Sequence, residues 1–151
     1  MRNDSRLSRM LHVLIHMDKH QHSATSDMIA KMLNTNPVVV RRTMAGLREQ
    51  GYVRSEKGHG GGWTLVRPLS DITLLDVYNA IGEPHLFAIG PADDQPQCLV
   101  EQAVNVALGD AMKEAQALLL QRLDSVTLDK IAADFEAKLT ARPATSYSCA
   151  S

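Results

Sequence analysis

The sequence predicts a mainly α-helical chain with one small β-hairpin, arranged as a winged helix-turn-helix domain followed by a long dimerisation helix. Three stretches predict it. From Ser26 to Glu49, apolar residues recur at helical spacing on either side of a break at Asn34-Thr35-Asn36. From Tyr52 to Arg67, two short strand-like runs flank Gly58-His59-Gly60-Gly61-Gly62, a run that can form little but a turn. From Leu99 to about Leu123, apolar residues cover more of a helix than one neighbour can bury.

At 151 residues the chain suits one compact domain, or a small domain with an oligomerisation appendage. The reading divides it into the helix-turn-helix and wing unit over 1–82, an irregular loop over 83–98, helices for dimerisation over 99–140, and a tail over 141–151 that is expected to be disordered. With only 4% aromatic residues, the core must be mostly aliphatic and methionine. No apolar run approaches the length of a membrane span, and Arg2, Asp4, Arg6 and Arg9 interrupt any signal-peptide pattern, so a cytoplasmic location is expected. Cys98 and Cys149 are too far apart in sequence to suggest a disulfide framework, and too few for a four-thiolate metal site.

The net charge of −1 conceals a division. Residues 1–69 carry 11 Lys/Arg against 5 Asp/Glu, a balance of +6, and residues 70–151 carry 5 against 12, a balance of −7. One half can attract phosphates while the other stays clear of them.

In chain order, a first helix is expected from about Asp4 or Ser5 to Lys19, with Leu7, Met10, Leu11, Leu14 and Met17 inward. His12, His16 and His20 fall one turn apart on the opposite face. Such imidazoles can chelate Zn²⁺ or Ni²⁺, but no acidic or thiol partner lies near in sequence. They are read as surface residues and no metal site is assigned, with a metal-responsive regulator using this face as an alternative. A second helix begins at Ser26, with Thr25 or Ser26 as its cap. Pro37 suits the first turn of a third helix, in which Val40, Met44 and Leu47 face inward and Val38, Val39, Arg41, Arg42, Ala45 and Arg48 face out. Gly51 ends it. Strands over 52–57 and 63–67 make the wing, which Pro68 stops.

A fourth helix follows a short connector, with Thr73 and Asp76 as a capping box and Ile72 and Val77 as its staple. Gly82 closes it. Residues 83–97 lack periodicity, as functional or mobile loops do. In the long helix, Val100, Val104, Ala107, Ala111, Ala115 and Leu118 share one face. Burial of this helix inside its own subunit is the weaker alternative to pairing with a second copy. A break at Ser125-Val126-Thr127 leads to a last helix, capped by Thr127 and marked by Leu128, Ile131, Ala132, Phe135 and Leu139.

The helix-turn-helix with its wing fits duplex DNA. A helix can enter the major groove, and cations beside it meet phosphates. Arg41, Arg42 and Arg48 supply such cations on the third helix, and Arg54, Lys57 and Arg67 supply them on the wing. His59, Gly60 and Gly61 at the wing tip can approach the minor groove or offer backbone N–H groups to a phosphate.

These residues also carry a resemblance. Asn36-Pro37-Val38-Val39-Val40-Arg41-Arg42, then Leu47, Gly51-Tyr52-Val53 and Gly58-x-Gly60-Gly61-Gly62-Trp63-x-Leu65, resemble the Rrf-two family of bacterial winged-helix transcription regulators. Trp63 replaces the family's usual tyrosine or phenylalanine. The resemblance implies a homodimer on a pseudo-palindromic operator, with residues 83–98 as its sensing region, and a repressor is expected rather than an activator because a dimer on a promoter blocks polymerase without any further contact. Members that hold an iron–sulfur cluster place three cysteines there. This chain has Cys98 alone, at the position of the third, so no cofactor is expected. Cys98, His85 and His12 are left as candidate sensing residues for a redox or small-molecule effector, and an inert buried Cys98 is the alternative. Two other classes compete. A winged helix can serve as a protein-interaction module, against which the charge division argues. An enzyme lacks support, because no nucleophile with a paired base, phosphate-binding loop or metal-ligand motif is evident.

Overall fold

The computed structural model describes residues 3–20 and 22–141. Cys149 and the tail expected to be disordered, beyond residue 141, lie outside the described residues. The elements are α1 (Arg6–His20), α2 (Ser26–Leu33), α3 (Pro37–Glu49), β1 (Val53–Glu56), β2 (Gly62–Leu65), a 3₁₀ turn (Leu69–Asp71), α4 (Leu74–Ala80), α5 (Leu99–Asp124) and α6 (Leu128–Thr140). This is the winged helix-turn-helix plus long helix that the sequence predicts.

The core gathers one stripe from each amino-terminal helix. Met10, Val13, Leu14 and Met17 of α1 meet Ile29 and Ala30 of α2 and Val40, Met44 and Leu47 of α3, with Tyr52, Val53 and Trp63 closing the side toward the wing. Thr25 caps α2, its hydroxyl accepting from the Met28 N–H at 3.2 Å. Asn34 leaves α2 in the left-handed region (φ 50°). Asn36 caps α3 by accepting from the Val38 N–H at 2.8 Å, with Pro37 at the helix start. Two caps within a dozen residues thus fix the turn between α2 and α3.

The strands are shorter than predicted. Tyr52 belongs to the exit from α3, because its N–H bonds the Leu47 carbonyl at 3.0 Å. The antiparallel register pairs Val53 with Leu65 and Glu56 with Gly62. A third strand-like contact holds the hairpin to the body: Trp63 and Ala24 exchange both backbone hydrogen bonds, at 2.8 and 3.0 Å. Gly62 is required there, since its φ is 140° and an added Cβ would lie 2.8 Å from the Ala24 carbonyl oxygen.

The capping box on α4 forms as predicted. Thr73 Oγ1 accepts from the Asp76 N–H at 3.0 Å, and Asp76 Oδ2 accepts from the Thr73 N–H at 2.9 Å. The cap predicted for α6 does not form through its side chain. Thr127 occupies the cap position, but its hydroxyl turns to the Asp129 carboxylate instead. The turn into α6 is held by backbone, with the Leu74 N–H on the Val126 carbonyl and the Leu128 N–H on the Ile72 carbonyl, both at 2.9 Å. Leu128 is fully buried in the core.

None of the residues of α5 is buried. Val100, Val104 and Leu118, predicted to share a face, are 71%, 56% and 69% exposed, so the alternative of a helix buried within its own subunit is overturned. No described helix is long and apolar enough to cross a membrane.

Candidate nucleic-acid interface

The outer face of α3, the start of α2 and the wing enclose an open cleft. Arg41, Ala45 and Arg48 form one wall, Thr25, Ser26 and Asp27 another, and Lys57 with Gly58, Gly61 and Gly62 the third. Asp27 and Glu56 also border the cleft, where carboxylates temper its positive charge. The wing's angle is set from within: the Trp63 ring is buried and its Nε1–H donates to Ser26 Oγ at 3.0 Å. Ser23 Oγ donates to the Gly60 carbonyl at 2.7 Å, bracing the tip.

The predicted interface residues divide by place. Arg41, Arg48, Lys57 and Gly61 come together in the cleft. Val38, Arg42, His59 and Gly60 are exposed, the first two on α3 and the others at the wing tip. Val39 turns to the other flank of α3, into a shallow crevice with Arg6, Arg9 and Thr43. Arg9, which the sequence reading passed over as a DNA contact, therefore adds a cation beside α3. Arg54 is engaged within the wing, 3.3 Å from Glu56 and 3.2 Å from Thr64 Oγ1. Arg67 stacks over the Tyr52 ring at 5.4 Å, which ties it to the wing's base. Burial, and next the nearby Asp76, raises the Tyr52 phenol above its ordinary pKa. The expectation that the wing glycines offer free N–H groups fails at Gly61, whose N–H bonds the Gly58 carbonyl at 3.0 Å.

The three candidate sensing residues occupy different settings. His85 borders a cleft with Asn3, Asp4 and Arg6. Cys98 is half-buried at the cap position of α5 and makes no side-chain capping bond. His12 lines an apolar groove of about 710 Å³ between α1 and α6, together with Leu11, Ile15, His16, Ile131 and Phe135. Periodicity gave no sign of this groove, because α6 reaches α1 only through the tertiary return of Leu128. Burial, then the charges of His12 and His20, lowers the His16 pKa.

The comparisons with known proteins decide the family. A profile described as that of an iron-dependent transcriptional regulator, Rrf2, matches residues 3–134. The chain belongs to the Rrf2 family. It is 34% identical over 131 residues to the protein named as the helix-turn-helix regulator YwnA of Bacillus subtilis, across 85% of this chain and 95% of that one. A Lactobacillus plantarum structure described as a transcriptional regulator superposes with a TM-score of 0.70 at 24% identity, over 91% of each chain. CymR, the global cysteine regulator of B. subtilis, superposes at 0.54 and 24% identity, over 88% of this chain and 98% of its own. These two structural likenesses speak for the fold alone. With the family they make this Rrf2 chain a transcriptional regulator with a DNA-binding fold, not an enzyme.

Iron in the family's description raises the question of an iron or iron–sulfur site. The donors do not fit one within a subunit: the loop over 83–98 offers a single thiol, and among the described residues no three His, Cys, Asp or Glu side chains are grouped to hold an ion.

Proposed function

We propose that this Rrf2 protein is a homodimeric repressor that sets two winged helices on a pseudo-palindromic operator, with residues 1–82 as the DNA-binding unit and residues 99–140 as the pairing unit. The observation that carries the reading is the cleft where Arg41, Arg48 and Lys57 converge between α3 and the wing. In this reading α3 enters the major groove with Val38, Val39, Arg41 and Arg42 toward the bases and nearest phosphates. Arg48 and Lys57 neutralise the flanking backbone, while His59, Gly60 and Gly61 follow the adjacent minor groove. A dimer seated on a promoter blocks polymerase by occupancy alone, which favours repression over activation. Residues 83–98, with Cys98 and His85 and with His12 of α1, are the proposed place where a redox or small-molecule effector acts.

Replacing Arg41 or Arg42 with Ala tests the interface. Each change is expected to weaken binding to a duplex selected by the parent protein by about 1–3 kcal/mol if the side chain reads a base, with sedimentation unchanged. Parent-like affinity in both variants removes α3 from the interface.

A further inference from the structure

The proposed DNA contacts do not use the histidine face of α1, of which only His12 has been given a part, beside the proposed effector region. His12 and His16 are one helical turn apart, at the rim of the groove between α1 and α6. Their ring centres lie 4.6 Å apart and the ring planes are tilted by 56°. With metal–nitrogen bonds of about 2.0–2.1 Å and ligand angles between right-angled and tetrahedral, two imidazoles on one ion hold their centres roughly 4.6–5.3 Å apart. The pair stands at the short edge of that range, so a small turn of either ring brings it to the spacing of chelation.

His20 does not join them. Its ring stacks on His16 at 5.9 Å with an interplanar angle of only 11°, and two rings set face to face do not aim their edge nitrogens at one point. Along the axis His20 is about 12 Å from His12, too far for one ion to reach both. The neighbouring cation Lys19 is engaged by Glu136 of α6, so its charge is offset rather than directed at the pair.

We infer that His12 and His16 form a two-imidazole chelating site for a borderline divalent cation such as Zn²⁺, with water completing the coordination. Imidazole suits Zn²⁺, Cu²⁺ and Ni²⁺ and disfavours Mg²⁺ and Ca²⁺. The site stands on the helix geometry alone and is independent of how α3 meets DNA. It also revises the sequence-based reading of this face as plain surface.

The test is calorimetric titration of ZnCl₂ into the full, tag-free chain carrying Cys98→Ser and Cys149→Ser, which removes competing thiols. One ion per chain is expected. His12→Gln and His16→Gln should each weaken binding by more than roughly tenfold, since even outer partners of metal ligands are worth ten- to a hundredfold. His20→Gln should bind as the parent does. No Zn²⁺ binding by the thiol-free chain, or parent-like binding by both the His12 and His16 variants, overturns the site. A melting experiment needs neither histidine variant: saturating Zn²⁺ should raise the melting temperature of the thiol-free chain, because the two rings converge only when α1 is helical. A melting temperature that zinc does not raise overturns the site equally.

Discussion

Gly46 shows how one residue fixes where α3 stands. A Cβ placed there would lie 2.0 Å from the Ala80 carbonyl oxygen, so α3 and the last turn of α4 touch with nothing between them. Gly46→Ala is expected to destabilise the fold by at least about 2 kcal/mol, within the usual cost of overpacking, despite alanine's better helix propensity. The midpoint of urea unfolding measures it, and an unmoved midpoint would mean that the helices separate freely. The sequence did not reveal this role. A glycine inside a helical stripe looks the same whether it meets solvent or a neighbouring backbone, and the residue it meets is more than thirty positions away. Val40, Met44 and Leu47 on the same helix were legible because their spacing alone decides which way they face.

Among the elements, α4 and α6 begin alike in sequence and differently in structure. Both have an apolar residue, a threonine and a helix, but three residues after Thr73 stands Asp76, and three after Thr127 stands Lys130. Only the acid can reach back to accept the cap's N–H, so only α4 closes the reciprocal box. Thr73→Ala is accordingly expected to cost about 1 kcal/mol and Thr127→Ala less than half of that, compared as shifts in thermal midpoint. A larger loss at Thr127 would show that its hydroxyl bond to Asp129 supports the turn after all. Helices were legible to within a residue or two because caps and periodicity are local signals. The docking of the wing and the return of α6 were not: the Trp63–Ala24 exchange and the Leu128–Ile72 bond join segments distant in sequence, and no local pattern marks them. For the candidate interface the chemistry was legible but the sorting was not, since only folding separates Arg41, Arg48 and Lys57 in the cleft from Arg54 and Arg67, which the wing itself occupies.

At the scale of the molecule, α5 is a rod of about 39 Å whose apolar face, Val100 to Leu118, is left exposed by its own chain. The carboxy-terminal part is acidic and the amino-terminal part basic, so a pair joined through α5 would offer two cationic surfaces to one duplex and keep its acidic half away from phosphate. Val104→Glu with Leu118→Glu places charge on that face without touching the core, and is expected to give a monomer by sedimentation with an unchanged helical signal. The consequence for DNA follows from counterion release. The logarithm of the binding constant falls with the logarithm of salt by about 0.9 for each phosphate neutralised, and a monomer reaches half the phosphates. Its salt slope on a duplex selected by the parent protein should therefore be about half the parent's, with weaker affinity at every salt concentration. An undiminished slope in a proven monomer would mean that a single subunit makes all the phosphate contacts, and the twofold arrangement would have to be abandoned even if α3 and the wing are correctly placed on DNA.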